Sequence, residues 1–220
     1  VYVNDLMSFP TFNRQVYIIL YSDDILLLAP SMHELQSVFS ACEKELWWLD
    51  MTINASKSAC LRVGPRCNAS SINIRTVSGH EIPWVKEIKY LGIYIVKSVK
   101  FKCSWDQAKR SFYRSLNSVF GKIGRVASEE VTLQLISTKC IPILLYGVDV
   151  CPLTKADTDS MDFAVTRFMM KLLKSGNKDI IKDSMVYFRF HLPSTLVQKR
   201  KDKFNINLKS SNNIYCKLYT

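Results

Sequence analysis

The sequence predicts an α+β fold, in which an α+β segment over residues 1–100 is followed by a mostly helical segment over residues 101–220. Two observations predict it. Runs of β-branched and aromatic residues of strand length concentrate in the first hundred residues. Beyond them, apolar residues recur every three or four positions, which is the period of an α-helix. Strands followed by helices are typical of α+β proteins or of two separate domains.

The first predicted element is a hairpin around an acidic turn. Residues 16–21 and residues 25–29 are apolar and of strand length, and Ser22, Asp23 and Asp24 lie between them. Two buried strands joined by a three-residue acidic turn form such a hairpin.

A helix and several strands are predicted to follow. Ser31 stands three residues before Glu34, which is the spacing of a capping box. Apolar residues then recur at helical steps, so this helix packs one face on the sheet and ends near Asp50. Strands are predicted next at residues 59–63, 72–74 and 88–95 and around Ile82, with a turn at residues 78–80.

Helices are predicted for most of the second half. Ser104 and Gln107 have capping-box spacing ahead of an apolar stripe made of Phe112, Leu116, Val119, Phe120 and Ile123. Ser128 begins a second helix, which reaches about residue 140 and is stopped by Pro142. Further helices are predicted over residues 154–173, 179–190 and 194–207.

The composition is that of a globular protein with an excess of positive charge. Of the 220 residues, 48% are hydrophobic and 22% are charged, which argues against a disordered chain. The formal net charge of +11 favours polyanionic partners, nucleic acid first and an acidic membrane surface second. A basic balance that only aids solubility is the alternative.

Cysteine spacing and apolar runs indicate the compartment. The seven cysteines form no C-x-x-C pair, and an odd number fits a closed disulfide framework poorly. Reduced thiols in an intracellular protein are therefore expected. The N-terminal residues lack a secretory signal, and the longest apolar runs fall short of the about 20 residues that a membrane span needs. We expect an intracellular protein without a membrane segment.

The acidic turn is the strongest candidate for a chemical site. Adjacent carboxylates at the tip of a rigid hairpin repel each other, and a divalent cation relieves the repulsion. Mg²⁺ prefers carboxylate oxygens and substrate phosphates, so such a pair suits phosphoryl transfer. The alternative is that Asp-Asp serves only as a solvated turn. Apolar flanks on both sides make the pattern Tyr-x-Asp-Asp more restrictive than a bare acidic pair.

Residues 21–24 and their apolar flanks resemble motif C of reverse transcriptases. Segments with similar order and spacing follow. The helix from Ser31 with residues 53–58 resembles motif D, and residues 90–93 (Tyr-Leu-Gly-Ile) resemble the primer-grip hairpin. The resemblance is completed by residues 1–6, similar to the end of the motif B helix, and by residues 144–147 with Pro152, similar to the region beyond the thumb of non-LTR (LINE-type) retrotransposon polymerases.

The resemblance implies a partial polymerase palm over residues 1–100, a helical thumb and C-terminal extension over residues 101–220, and roles for matching residues. Asp23 resembles the aspartate that binds the catalytic metals, with Asp24 as a second carboxylate, and the cofactor implied is Mg²⁺, with Mn²⁺ as an alternative. Lys57 resembles the motif D lysine that protonates the pyrophosphate leaving group, although it also fits an exposed lysine after a helix. Tyr90, Leu91 and Gly92 would position the primer, or would be a packed strand with a bend at Gly92.

Two departures from the family pattern have different weight. Ser22 stands where LINE-type enzymes usually carry alanine, and a small side chain is kept. The family also needs a motif A aspartate upstream of motif B, and the sequence begins too late to contain one. Asp5 belongs to the motif B tail by order and spacing. We therefore expect no polymerase activity from this chain alone.

A basic stretch follows the primer-grip segment. Residues 86–125 contain ten Lys or Arg residues and two acids, with aromatic residues interleaved. Lys109, Arg110 and Arg114 are the predicted contacts with template and primer, as in the thumb that the resemblance implies. Trp105 and Tyr113 are the predicted aromatic stacking residues. The alternative is an ordinary solvated helix face.

Three hypotheses follow for the function. The first is an RNA-directed DNA polymerase of a LINE-type element, whose intact form uses an RNA template, a DNA primer and dNTP. The second is a non-catalytic nucleic-acid-binding remnant of such a polymerase. The third is another palm polymerase, of group II intron type or RNA-templated RNA polymerase type.

Overall fold

The computed structural model describes residues 15–123 and 126–212, and their fold is α+β, as predicted. The strands are β1 Tyr17–Tyr21, β2 Asp24–Leu28, β3 Ile74–Arg75, β4 Glu81–Ile82, β5 Glu87–Tyr90, β6 Ile93–Val96 and β7 Cys103–Ser104. The helices are α1 Met32–Trp48, α2 Asp106–Ile123, α3 Glu129–Leu135, α4 Ile141–Leu144, α5 Lys155–Leu172, α6 Lys178–Tyr187 and α7 Pro193–Ser210.

The chain divides into two compact units. The first contains the described residues up to Ile88 together with Val96–Lys100. The second contains Lys89–Ile95 and the described residues from Phe101 onward. The tip of the β5–β6 hairpin therefore belongs to the helical unit, although most of its neighbours in sequence belong to the first.

The first unit is built on α1. Ser31 caps this helix, because its side chain accepts a hydrogen bond from the Glu34 N–H at 3.2 Å. One side of α1 buries Val38 and Cys42 under the inner face of the β1–β2 hairpin. The other side buries Phe39 in a second cluster, with Ile74 of β3 and Ile82 of β4. The hairpin and the β3–β4 pair are thus both anchored on the same helix.

The first predicted hairpin is present, with a shorter turn and more exposure than predicted. Tyr21 pairs with Asp24, so only Ser22 and Asp23 remain in the turn. The prediction of two buried strands is wrong for one face. On that face the side chains of Tyr17 and Tyr21 are 58% and 61% exposed. Only the inner face of the hairpin packs on a helix, so the alternate residues of each strand stay in solvent.

Residues 59–63 do not form the predicted strand. Cys60 and Val63 each make one isolated parallel bridge, to Trp84 and Ser98. Pro83 limits the pairing beside Cys60, because its nitrogen cannot donate to a ladder and only its carbonyl oxygen is used. This segment is therefore paired through isolated bridges and not through a continuous strand.

The predicted strand over residues 88–95 is two strands. β5 and β6 are joined by a turn at Leu91 and Gly92, and β6 pairs with β7 so that Tyr94 lies opposite Ser104. Strand-forming residues stand on both sides of the turn, so the sequence pattern alone predicted one continuous strand. The predicted helix start at Ser104 is also wrong, because Ser104 ends β7 and α2 begins at Asp106.

The second unit has one large core. The predicted stripe of α2 is confirmed: Phe112 and Leu116 are buried, and Val119 and Phe120 pack against the same core. Ser128 caps α3, and Thr154 caps α5 in a reciprocal capping box with Asp157. α5, α6 and α7 also bury residues in this core.

Pro142 does not end its helix, in contrast to the prediction. α3 continues into a π-helical turn, Ile136–Cys140, and Pro142 lies in the first turn of α4. A proline is tolerated in the first turn of a helix because its missing N–H has no partner there. The π turn therefore changes the hydrogen-bonding pattern just ahead of the proline, and α4 begins there as a new helix.

The described residues also bear on the predictions about membrane spans and about cysteine thiols. None of their helices combines the length and the hydropathy that a membrane span requires. Six cysteines lie in the described ranges, and each carries a free thiol. Burial raises the pKa of the Cys42 and Cys60 thiols to about 11.

Candidate functional site

The acidic turn is a two-residue connection with one unusual backbone angle. Ser22 has φ 55°, in the left-handed region, and it is the first of the two central residues. A left-handed angle at that position is the signature of hairpin turns that normally use glycine. Asp23 completes the turn and Asp24 opens β2, so the two carboxylates are fixed to a rigid connection.

Both aspartates are exposed. Within residues 15–123 and 126–212, neither carboxylate takes part in a hydrogen bond or an ion pair. Their oxygens are thus available for a cation, and they are the hard donors that Mg²⁺ prefers. In the same part of the chain no group of three or more His, Cys, Asp or Glu side chains could hold a metal ion. The donor set fits Mg²⁺ in kind and supplies only two ligands.

Lys57 lies on a tight turn that α1 also anchors. The Asn54 side-chain oxygen accepts hydrogen bonds from the Ser56 hydroxyl at 2.7 Å and from the Lys57 N–H at 3.2 Å. Ile53 and Ala55, on the same turn, pack against the cluster around Phe39. The Lys57 side chain is exposed and forms no ion pair with any described residue.

The other predicted contacts lie in the second unit. Leu91 and Gly92, with φ 46° and 82°, form the turn of the β5–β6 hairpin. Two successive left-handed residues are the pattern of a type I′ turn. The bend predicted at Gly92 is therefore a complete hairpin turn. Tyr90, just before it, is partly buried.

The basic face of α2 is exposed, with one exception. Arg110 and Arg114 are exposed, and Tyr113 lies between them with 36% exposure. Lys109 differs, because its ammonium group lies 3.0 Å from an Asp106 oxygen and donates a hydrogen bond to the Ser160 hydroxyl at 3.1 Å. Lys109 therefore joins α2 to α5, and its role in phosphate contact stays a prediction.

One predicted stacking residue is wrong. Trp105 is 5% exposed and belongs to the core of the second unit. A base cannot stack on a ring that is already covered. Sequence spacing could not show this, because Trp105 lies at the junction of β7 and α2, outside the helical stripe. Tyr113 stays the predicted stacking residue, on the same face as the two arginines.

Two basic residues of α5 were not found from the sequence. Arg167 and Lys171 line a surface groove of about 520 Å³, together with Tyr113, Asn117 and Phe120. The Lys171 ammonium lies 5.1 Å from the centroid of the Phe120 ring. Both residues are far from the basic run in sequence, and packing of α5 beside α2 brings them near Tyr113. Their four-residue spacing outside the buried stripe of α5 was the available signal.

Comparison with known protein families gives a match over the first part of the chain. Residues 2–95 match the family model for reverse transcriptase (RNA-dependent DNA polymerase). No curated protein matches the chain, and no solved structure matches it either. The matched segment contains the acidic turn, α1, Lys57 and the Leu91–Gly92 turn. The resemblance to reverse transcriptases is thereby confirmed for these residues, while the assignments of the individual motifs and of the LINE type stay predictions.

The left-handed Ser22 generates a stability prediction. We expect Ser22→Gly to stabilise the hairpin by about 0.5–1 kcal/mol, because glycine adopts this angle without the clash of a Cβ atom. Native-state hydrogen exchange of the β1 and β2 amides would measure the change. Ser37→Gly is the matched control: Ser37 is exposed within α1, so the same substitution should destabilise the helix by about 0.5 kcal/mol. Destabilisation of the hairpin by Ser22→Gly would contradict the assigned turn.

Proposed function

We propose that this chain is the palm and thumb segment of an RNA-directed DNA polymerase from a LINE-type retrotransposon. In the intact enzyme the substrates are an RNA template, a DNA primer and dNTP. The observation that carries the proposal is that Asp23 and Asp24 are exposed and have no partner among the described residues. They lie at a two-residue hairpin turn inside the segment that matches the reverse transcriptase family.

Asp23 and Asp24 are the residues that would hold Mg²⁺, with Mn²⁺ as an alternative. A metal ion held by these carboxylates would activate the primer 3′-hydroxyl and stabilise charge on the phosphates. The chain itself contributes a rigid carrier. Because Asp24 pairs with Tyr21 in the β1–β2 ladder, its backbone is held at the end of the hairpin, next to Asp23 in the turn.

The proposed site is half of a complete one. A polymerase metal site needs a further carboxylate, and the described residues bring no third ligand to the pair. Two carboxylates alone bind Mg²⁺ weakly and place it poorly. We infer that this chain by itself does not extend a primer.

Lys57 is the proposed proton donor to the pyrophosphate leaving group. Its exposed ammonium and its lack of a carboxylate partner among the described residues suit contact with a charged substrate. The Asn54 hydrogen bonds fix the turn that carries it. A positioned lysine can serve as a general acid when it reaches the leaving oxygen.

The helical unit is proposed to hold the RNA–DNA duplex. Arg110 and Arg114 lie one helical turn apart, so both can face one phosphate backbone. Arg167 and Lys171 extend the same basic surface onto α5. Lys109, whose ammonium group also links α2 to α5, is the third proposed contact on α2. Tyr90, Leu91 and Gly92 are the proposed primer-positioning segment.

A non-catalytic nucleic-acid-binding remnant is the second candidate. The basic α2 face favours it, because duplex binding by Arg110 and Arg114 requires no metal. In this case the acidic turn would be an inherited feature without chemistry in the living cell. The two candidates share duplex binding and differ only in catalysis.

Duplex binding tests the part that both candidates share. We expect Arg110→Ala/Arg114→Ala to weaken binding of a fluorescent RNA–DNA hybrid by about tenfold at low salt and to reduce the slope of log K against log salt by about 2. Fluorescence anisotropy at several salt concentrations measures both quantities.

Lys178→Ala/Lys182→Ala is the matched control for this measurement. It removes the same charge from two exposed residues that are also four positions apart, on α6. We expect this variant to change affinity less than twofold, since general electrostatic attraction alone remains affected. Equal losses in the two double variants would refute a specific duplex-binding face on α2.

Primer extension tests the inactivity of the chain alone. With a primed RNA template, dNTP and Mg²⁺ or Mn²⁺, we expect no incorporation above a protein-free control, because the described residues bring no third carboxylate to the metal site. A gel-based extension assay measures this directly. Incorporation that disappears in Asp23→Asn would show that the chain holds a complete active site and would eliminate the remnant hypothesis.

A further inference from the structure

Two segments that are distant in sequence contact each other in the second unit. The first is the hairpin tip, defined here as Lys89–Ile95, and the second is the loop after α4. The Tyr146 hydroxyl donates a hydrogen bond to the Leu91 carbonyl oxygen at 3.0 Å. The contact joins residues 55 positions apart and reaches the backbone of the turn itself.

Each segment contributes a glycine at the point of closest approach. A Cβ atom on Gly92 would lie 3.0 Å from Cε1 of the Tyr146 ring. A Cβ atom on Gly147 would lie 2.7 Å from Cδ1 of Ile93. Both glycines also have left-handed φ angles, 82° and 76°. The tip and the loop therefore interlock in both directions, and each glycine makes room for a side chain of the other segment.

The turn does not have the residues that normally stabilise its conformation. Type I′ turns favour Asn or Gly at the first central position, where both φ angles are positive. Here Leu91 occupies that position with φ 46°, although a left-handed angle costs a leucine about 1–2 kcal/mol. Backbone strain of this kind persists only where the surroundings hold it, and it is concentrated at functional sites.

The segment that precedes Tyr146 is held in place by the core. Leu144 and Leu145 are fully buried in the core of the second unit. A guanidinium nitrogen of Arg200 on α7 donates a hydrogen bond to the Leu145 carbonyl oxygen at 2.9 Å. The Tyr146 ring thus projects from a segment that is fixed by both packing and hydrogen bonding, which is what a preorganising contact requires.

We propose that Tyr146 is a positioning residue that locks the Leu91–Gly92 turn in its left-handed conformation, so that the tip meets the primer terminus in one geometry. The primer-positioning role of the tip is taken from the proposed function, and the proposal rests on it. Tyr146 acts through the turn and does not contact the substrate. The tip is therefore set by a residue that lies beyond the segment matching the reverse transcriptase family, which ends at residue 95.

The first experiment tests the lock without nucleic acid. Tyr146→Phe keeps the ring beside Gly92 and removes only the hydroxyl. Hydrogen–deuterium exchange on the full chain should show the amides of residues 89–95 exchanging about fivefold faster, as expected for the loss of one hydrogen bond. The β1–β2 hairpin amides should be unchanged. Unchanged exchange over residues 89–95 would overturn the lock.

The second experiment tests positioning. The probe is an RNA–DNA hybrid whose DNA primer ends in a photo-crosslinking nucleotide. We expect the unchanged chain to crosslink to the peptide that contains residues 89–95. Tyr146→Phe should lose at least half of that crosslink while total affinity, supplied by the α2 arginines, changes less than twofold. A purely structural role would lower both quantities together and would overturn positioning.

Two further variants complete the design. Gly92→Ala should lose the same crosslink, because its Cβ atom would press on the Tyr146 ring. Tyr187→Phe, at a tyrosine 81% exposed on α6, is the matched control and should crosslink like the unchanged chain. If the unchanged chain binds no hybrid, the proposed function fails, whatever the exchange shows. If it crosslinks at the tip and Tyr146→Phe crosslinks equally, only the role of Tyr146 fails.

Discussion

The two apolar sides of α1 hold in place every candidate chemical group of the first unit. Val38 and Cys42 carry the hairpin with Asp23 and Asp24, and Phe39 carries the turn with Lys57. Leu35 contacts both clusters. A helix of this kind converts hydrophobic burial, which has no direction, into fixed positions for polar groups at the ends of short strands. Loss of α1 packing would release the acidic turn and the lysine turn together.

Each unit contains a hairpin turn with a strained backbone angle. Ser22 and Leu91 are both non-glycine residues with left-handed backbone, and both lie at the tips of hairpins with proposed roles. The strain is compensated differently. In the first unit the β1–β2 ladder and α1 hold the turn, whereas in the second unit a distant tyrosine and two glycines hold it. Such strain preserves a geometry that the local sequence would not choose.

The sequence predicted those features that depend on local chemistry. Ser31 marked the start of α1, the predicted helix over residues 154–173 matches α5, and the spacing of Phe112 and Leu116 identified the buried face of α2. The acidic turn was found because its apolar flanks and its order along the chain are visible without a structure. The family match over residues 2–95 agrees with that interpretation.

The failures came from contacts between distant residues. Pro142 was predicted to end a helix, and a π turn placed it at the start of another. Trp105 was predicted to stack on a base, whereas tertiary packing buries its ring. The contact between Tyr146 and Leu91 was equally hidden: both motifs were recognised, but nothing in the sequence showed that they meet.

The central claim is that Asp23 and Asp24 form half of a polymerase metal site, and Mn²⁺ titration tests it most directly. Electron paramagnetic resonance of free Mn²⁺ should reveal weak binding by the chain, with a dissociation constant on the order of 1 mM, as expected for two carboxylates. Asp23→Asn/Asp24→Asn should abolish that binding. Glu129→Gln/Glu130→Gln, which removes another exposed adjacent acid pair at the start of α3, should leave it intact. Equal binding by both double variants and the unchanged chain would contradict the account.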